Sequence, residues 1–160
     1  MAWVARAENL VVCGPSRSGK ARFLEPLGQT AVDASHKVSW FYLEYLGQLI
    51  RPQGADDTTT RANKKTMRAD VIAIDDIGLL PVTTETVEAL YRVVDAAYQK
   101  RSIALSSNPH PAGFDELMPK TIANDTVDRL MHHAHIVLTA GDSIRLTQAT
   151  TGKGVTPLTR

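Results

Sequence analysis

Two kinds of apolar segment alternate along the chain: short, nearly uninterrupted runs, and longer stretches repeating at helical spacing. That order predicts an α/β fold, with a mostly parallel sheet covered by helices on both faces. Leu10 to Cys13 opens it as a strand. A helix is expected from near Gly19 to about Ala34, then a strand from His36 to Tyr42 and a short helix from Tyr45 to Ile50. Arg51-Pro52-Gln53-Gly54 ends that helix, because proline and glycine stop helical propagation there. Asp56 and Asp57 favour the start of another, in which Arg61, Lys64, Lys65 and Arg68 fall at i, i+3, i+4 and i+7 and share one face. Asp70 to Asp76 is a β-branched apolar run that ends in two acids, as expected of a strand buried on both faces. Behind Thr83-Thr84-Glu85, the positions Val87, Leu90, Tyr91, Val94, Ala97 and Tyr98 give the clearest helix. Ser102 to Ser106 returns to strand, and Asn108-Pro109-His110-Pro111 breaks it. Thr126 to Ala134 is expected to be a helix, with Asp128 and Arg129 off its apolar stripe. His135–Thr139 and Ser143–Thr147 flank Gly141-Asp142 as a closing hairpin. From Thr150 onward the periodicity stops, and no internal repeat or low-complexity segment interrupts the pattern.

Composition narrows this picture without redirecting it. A chain of 160 residues fits one domain with a real core. The single cysteine, Cys13, excludes an internal disulfide framework and reads as a small buried hydrophobe in a reducing compartment, so a cytoplasmic protein is expected. Met1 to Arg6 is too short and too polar for a signal peptide, and no apolar run approaches the roughly 18 residues of a membrane span. With a formal net charge of +1, contact with nucleic acid must come from a local patch.

Three motifs carry the chemistry, each at the carboxyl end of an expected strand, where open α/β sheets bind ligands. Gly14-Pro15-Ser16-Arg17-Ser18-Gly19-Lys20-Ala21 follows the first strand. A loop of this form points successive backbone N–H groups at phosphates, the following helix presents its positive end, and the lysine reaches the terminal phosphates. The template closes on a Ser or Thr whose hydroxyl coordinates Mg²⁺; Ala21 has no oxygen to offer. Arg17 sets a Cβ and a long cation where glycine most easily lets backbone approach phosphate. Asp75-Asp76 supplies the second part: Asp75 to hold Mg²⁺, usually through water, and Asp76 to orient or deprotonate the attacking water. Taken alone, the two acids also suit a turn before Gly78. Asn108 is the third, placed to hydrogen-bond that water or the terminal phosphate, although Asn before Pro109 also serves as a turn residue.

Further along, Arg129 is a candidate arginine finger acting on a neighbouring subunit's nucleotide; a surface helix arginine is the alternative. His132, His133 and His135 raise a metal reading, but two are sequential on a helix and point to different faces, which favours packing or surface roles. The face of Arg61, Lys64, Lys65 and Arg68 is either a solvated surface or a phosphate-contacting, DNA-binding one.

The order of motifs resembles the IstB-like helper ATPases of insertion sequences, relatives of the DnaC helicase loader within the AAA+ superfamily. The resemblance lies in Glu8–Val11 with Gly14-Pro15-Ser16, Ala69–Pro81, Leu90-Tyr91-Arg92, Ser106-Ser107-Asn108 and Asp128–His135, and covers nearly the whole chain. It implies a three-layer P-loop NTPase core over residues 1–149, its mostly parallel five-stranded sheet followed by a hairpin, with no helical lid and an irregular tail from 150 to 160. ATP and Mg²⁺ are the implied cofactors. Catalytic roles for Asp76, Asn108 and Arg129, metal holding by Asp75 and phosphate contact by Lys20 agree with the residue-level reading. The implied activity is a nucleotide-dependent homo-oligomer on double-stranded DNA that directs and stimulates the transposase of the same insertion sequence, without a membrane role. Helicase loading is the neighbouring alternative, and a non-hydrolysing remnant that binds nucleotide or DNA is another. Arg17, Ala21 and Arg22 stand where family loops carry glycine, a hydroxyl and often histidine, so hydrolysis is expected to be impaired. The family's helical region ahead of the first strand is expected to be missing, as in a truncated segment or a decayed copy. Arg145 is the remaining arginine that could approach the nucleotide, and it is not assigned a role.

Overall fold

The uninterrupted apolar runs become the interior strands of one parallel sheet. A computed structural model describes residues 1–49 and 64–140. Arg51–Gly54, Asp56, Asp57, Arg61, the Gly141-Asp142 hairpin with its second strand, Arg145 and the tail lie outside the described residues. Five strands, β1 (Asn9–Cys13), β2 (Val38–Tyr42), β3 (Val71–Ile77), β4 (Ser102–Ser107) and β5 (Ala134–Leu138), pair in the order β2-β3-β4-β1-β5, every neighbour parallel. β1 and β4 are buried at every position, and β3 at all but Asp76, as expected of strands covered on both faces. The edge strands β2 and β5 are only partly buried.

Alternate residues of the strands feed two cores. Leu10, Val12, Val71 and Ala104 pack with Val4 of α1 (Ala2–Ala5) and with Leu24 and Ala31 of α2 (Lys20–Asp33). Val11, Cys13, Ile72, Ile74, Ile103 and Leu105 face the other way. They meet Leu43 and Leu46 of α3 (Leu43–Leu49), Leu90 and Val94 of α4 (Thr84–Ala97), and Leu130 of α5 (Lys120–Met131). The result is the expected three-layer sandwich. Thr83 caps α4, its hydroxyl accepting from the Thr86 N–H at 3.2 Å.

Two expectations need correction. The strand expected to end at the acid pair runs one residue further, since pairing resumes at Ile77 opposite Ser107 after an irregularity beyond Ile74. The last helix begins at Lys120 rather than Thr126 and ends at Met131, leaving Ala134 to β5. Its polar first turns hide the partly buried Ile122 and the buried Ala123, both packed on the core. Its end is set by β1: Asn9 Nδ2 donates to Leu130 O at 2.8 Å, and Asn9 N–H donates to His133 O at 2.7 Å. A 3₁₀ helix, Pro111–Glu116, which periodicity did not announce, buries Pro111 and Phe114 ahead of it.

Candidate functional site

The loop from β1 to α2 sits where the sheet's central strands end. Gly14 N–H donates to Ser107 O at 3.1 Å, tying the loop to β4. On its other side stands Thr139, whose N–H and hydroxyl both donate to Cys13 O, at 2.7 and 3.1 Å. A Cβ on Gly14 would collide with the Thr139 hydroxyl and lie 2.5 Å from its carbonyl oxygen, so this close approach admits glycine alone. Ser18 Oγ and Thr139 Oγ1 are 2.6 Å apart, closing a latch between the far side of the loop and β5. The chain then passes through the left-handed region twice, at Arg17 (φ 66°) and Gly19 (φ 91°), before α2 starts.

Lys20, only 7% exposed, donates from Nζ to Gly14 O at 2.8 Å and Pro15 O at 2.7 Å, so its head lies inside the curl of the loop. Burial lowers its pKa, and the nearby Asp76 and Asp75 oppose that shift. Lysine and acids, distant in sequence, therefore share one electrostatic environment.

Asp75, buried on β3, receives hydrogen bonds from Ser106 Oγ on β4 and from the Asp76 N–H, the latter at 3.0 Å, both on Oδ1. Ser106 Oγ also accepts from the Asp76 N–H at 3.0 Å. These contacts hold Asp76 at φ 64°, a conformation that aspartate tolerates better than most side chains. Burial and the neighbouring Asp75 push the Asp76 carboxyl above its ordinary pKa, Lys20 opposes this, and Glu44 adds to it. Asn108 lies just past β4, its N–H donating to Ile77 O at 2.9 Å and Nδ2 to Gly78 O at 3.3 Å. The lysine, the acid pair and the asparagine thus gather at the carboxyl ends of the neighbouring strands β1, β3 and β4.

Ser106 and Thr139 escaped the sequence reading. A serine amid the apolar positions of a buried strand, two residues before Asn108, was a usable signal for the first. Thr139 touches the loop only through tertiary structure.

Arg129 lies elsewhere. Nε pairs with Asp95 of α4 at 3.0 Å, Nη1 donates to Asp125 O at 3.3 Å, and the guanidinium lies 5.6 Å from the centre of the Tyr91 ring. None of its contacts within the chain reaches the loop or the acids. The histidines take the packing and surface roles preferred for them: Tyr98 Oη meets His132 Nδ1 at 2.6 Å, and His135 Nε2 meets Glu8 at 2.7 Å. His132 and His133 do not diverge as expected; the helix has ended at Met131, and their rings lie 4.1 Å apart. Among the described residues no group of three or more metal-ligating side chains occurs. Lys64 and Lys65 are exposed and helical, and Arg68 is exposed just beyond the helical residues 64–67.

Mg²⁺ takes near-octahedral oxygen ligands, keeping several waters. Ala21 brings a methyl group to the position that usually gives the direct protein oxygen. Asp75 Oδ1 already accepts two hydrogen bonds. The residues present therefore do not fit a metal held directly by the loop.

A family model described as IstB-like ATP binding protein matches residues 1–152. A Pseudomonas aeruginosa protein of insertion sequence IS21, named for ATP binding, is 33% identical over 147 residues, covering 91% of this chain and 56% of its own length. The chain thus spans little more than half of that relative. In structure it is similar to the replication initiator DnaA bound to AMPPCP and single-stranded DNA: TM-score 0.69, 17% identity, 93% of this chain and 46% of that one. It is also similar to the DnaC helicase loader, with TM-score 0.65, 13% identity, and 87% and 85% coverage. Among the described residues no helix is long and apolar enough to cross a membrane.

Proposed function

Because the chain belongs to the IstB-like ATP-binding protein family, we propose that it is the ATP-binding AAA+ core of a transposition helper. In this reading it works in the cytoplasm, assembles with copies of itself on double-stranded DNA, and directs or stimulates the transposase of the same insertion sequence. What carries the proposal is the convergence of Lys20, Asp75, Asp76 and Asn108 at the ends of β1, β3 and β4, in a chain matched by the family over 1–152.

The division of labour follows from position. Backbone N–H groups of Ser16, Arg17, Gly19, Lys20 and Ala21, with the Lys20 ammonium, receive the phosphates at the start of α2. Asp76, its proton affinity raised by burial and by Asp75, accepts a proton from the attacking water, and Asn108 orients that water or the terminal phosphate. Arg129 serves a neighbouring copy, leaving Asp95 and Tyr91 when the interface forms. Lys64, Lys65 and Arg68, with Arg61, contact the DNA backbone without reading bases. Ala21 favours slow hydrolysis, so the nucleotide acts mainly as an assembly signal. Residues 1–149 form the core in this scheme.

Titration of ATP into the native chain and Lys20→Ala tests the site; the variant is expected to bind roughly a hundredfold more weakly. Equal affinity would overturn it. Pull-down on duplex DNA against the element's transposase and against a replicative helicase tests the partner. Exclusive capture of the helicase would replace transposition with helicase loading.

A further inference from the structure

The loop that lost its metal ligand carries two cations that nothing in the described structure neutralises. Arg17 stands on the outer turn of the loop at φ 66° and Arg22 in the first turn of α2; both are exposed. Neither has a hydrogen-bond or ion-pair partner among the described residues. Among the described residues Arg6 is paired with Glu8, Arg92 with Glu88 and Arg129 with Asp95, whereas Arg68, like Arg17 and Arg22, is exposed with no ion-pair partner. The first turn of α2 holds no acidic residue either. Lys20 and Arg22 therefore crowd the positive end of a helix dipole, an arrangement that is unfavourable until an anion enters it.

We propose that this loop binds a nucleotide's phosphate chain in its metal-free form, with the Arg17 and Arg22 guanidinium groups beside Lys20 supplying the positive charge that a loop-bound Mg²⁺ supplies elsewhere. The inference rests on the nucleotide-site reading above and specifies the ligand's form. Guanidinium suits this role because it stays charged when partly desolvated, is weakly hydrated, and matches two phosphate oxygens at once. Mg²⁺ already bound to the phosphates would withdraw two units of their negative charge and occupy oxygens the arginines use, while finding no hydroxyl at Ala21. The third proton of Lys20 remains for phosphate while Gly14 O and Pro15 O hold the other two.

Calorimetric titration of ATP in excess EDTA and in excess Mg²⁺ tests this, with thermal melts confirming that each variant folds. The native chain is expected to bind ATP in EDTA at least as tightly as with Mg²⁺. Arg17→Gly and Arg22→Ala should each weaken binding in EDTA by about tenfold. Ala21→Thr should bring a preference for the magnesium complex. Tenfold tighter binding by the native chain with Mg²⁺, or unchanged affinity in EDTA for both arginine variants, would overturn the inference. If only the Arg17→Gly, Ala21→Thr double variant binds, and only with Mg²⁺, this inference falls while the nucleotide site stands. If nothing binds under any condition, both fall.

Discussion

The candidate site has two banks, and they are built differently. On the acid bank, Asp75, Ser106, Asp76 and Asn108 are fastened to β3 and β4 by side-chain and backbone hydrogen bonds across the strands. On the loop bank, the backbone is equally well anchored through Ser107, Cys13 and Thr139, and Lys20 is held by Gly14 O and Pro15 O, but the other side chains that would meet a ligand are free or altered: Arg17 and Arg22 without hydrogen-bond or ion-pair partners, Ala21 without a hydroxyl. Architecture and ligand chemistry are thus separable here. Substitutions in anchoring residues should cost stability, and those in the loop's ligand-facing side chains should change binding while leaving the fold intact.

The sharpest test of the anchoring half is Gly14→Ala. Its added Cβ meets Thr139 backbone as well as side chain, so the loop or β5 must move. A loss of about 3 kcal/mol is expected, at the upper end for overpacking, and should appear as a lower denaturant midpoint. A variant as stable as the native chain would mean that the latch between loop and β5 is soft. Next comes Ser106→Ala, which deprives the Asp75 carboxylate of a donor and the Asp76 N–H of one acceptor in a buried setting. Roughly 1–3 kcal/mol should be lost by chemical denaturation. A change below about 0.5 kcal/mol would show that water replaces the hydroxyl, erasing the contrast between the banks.

How far this contrast was legible beforehand depends on whether a residue's role is local. The strand runs and the capped start of α4 announce themselves through spacing, and the structure keeps them. Lys120–Asp125 did not, because tertiary contacts of Ile122 and Ala123 stabilise a helix whose local pattern is polar. Thr139 and Cys13 are far apart in sequence and meet only because β5 pairs with β1. The Arg129–Asp95 pair likewise exists only once α5 lies on α4. Residue identities could single out Lys20, the acid pair and Asn108, but not the anchors Ser106 and Thr139 that hold their surroundings.

Asp76→Asn has a smaller effect of opposite sign. The Asp76 carboxyl is pushed up by burial and by Asp75, so its ionised form opposes folding. A group with a raised acidic pKa lowers stability as pH climbs from its ordinary value through the raised one, and the deficit is complete above both. Asparagine keeps the shape, tolerates the left-handed backbone and removes the charge. At pH 7 the variant should melt higher, by about 2–4 °C for each kcal/mol of relieved repulsion, while any hydrolysis falls. The advantage should vanish below the ordinary aspartate range. A lower melting point at pH 7 would mean that attraction to Lys20 outweighs repulsion from Asp75.

The smallest expected change in stability belongs to Arg17→Gly, and its smallness is what makes it informative. At φ 66° arginine bears a steric cost that glycine escapes, whereas glycine gives the unfolded chain more freedom. The two effects oppose each other, and Arg17 has no hydrogen bond or ion pair to lose, so melting should move by less than about 0.5 kcal/mol equivalent in either direction. Coupled with a tenfold loss of metal-free ATP binding, that silence would separate ligand chemistry from architecture on the loop bank. A loss beyond about 1 kcal/mol would instead make Arg17 part of the scaffold, and the two banks would then differ only in which residues do the anchoring.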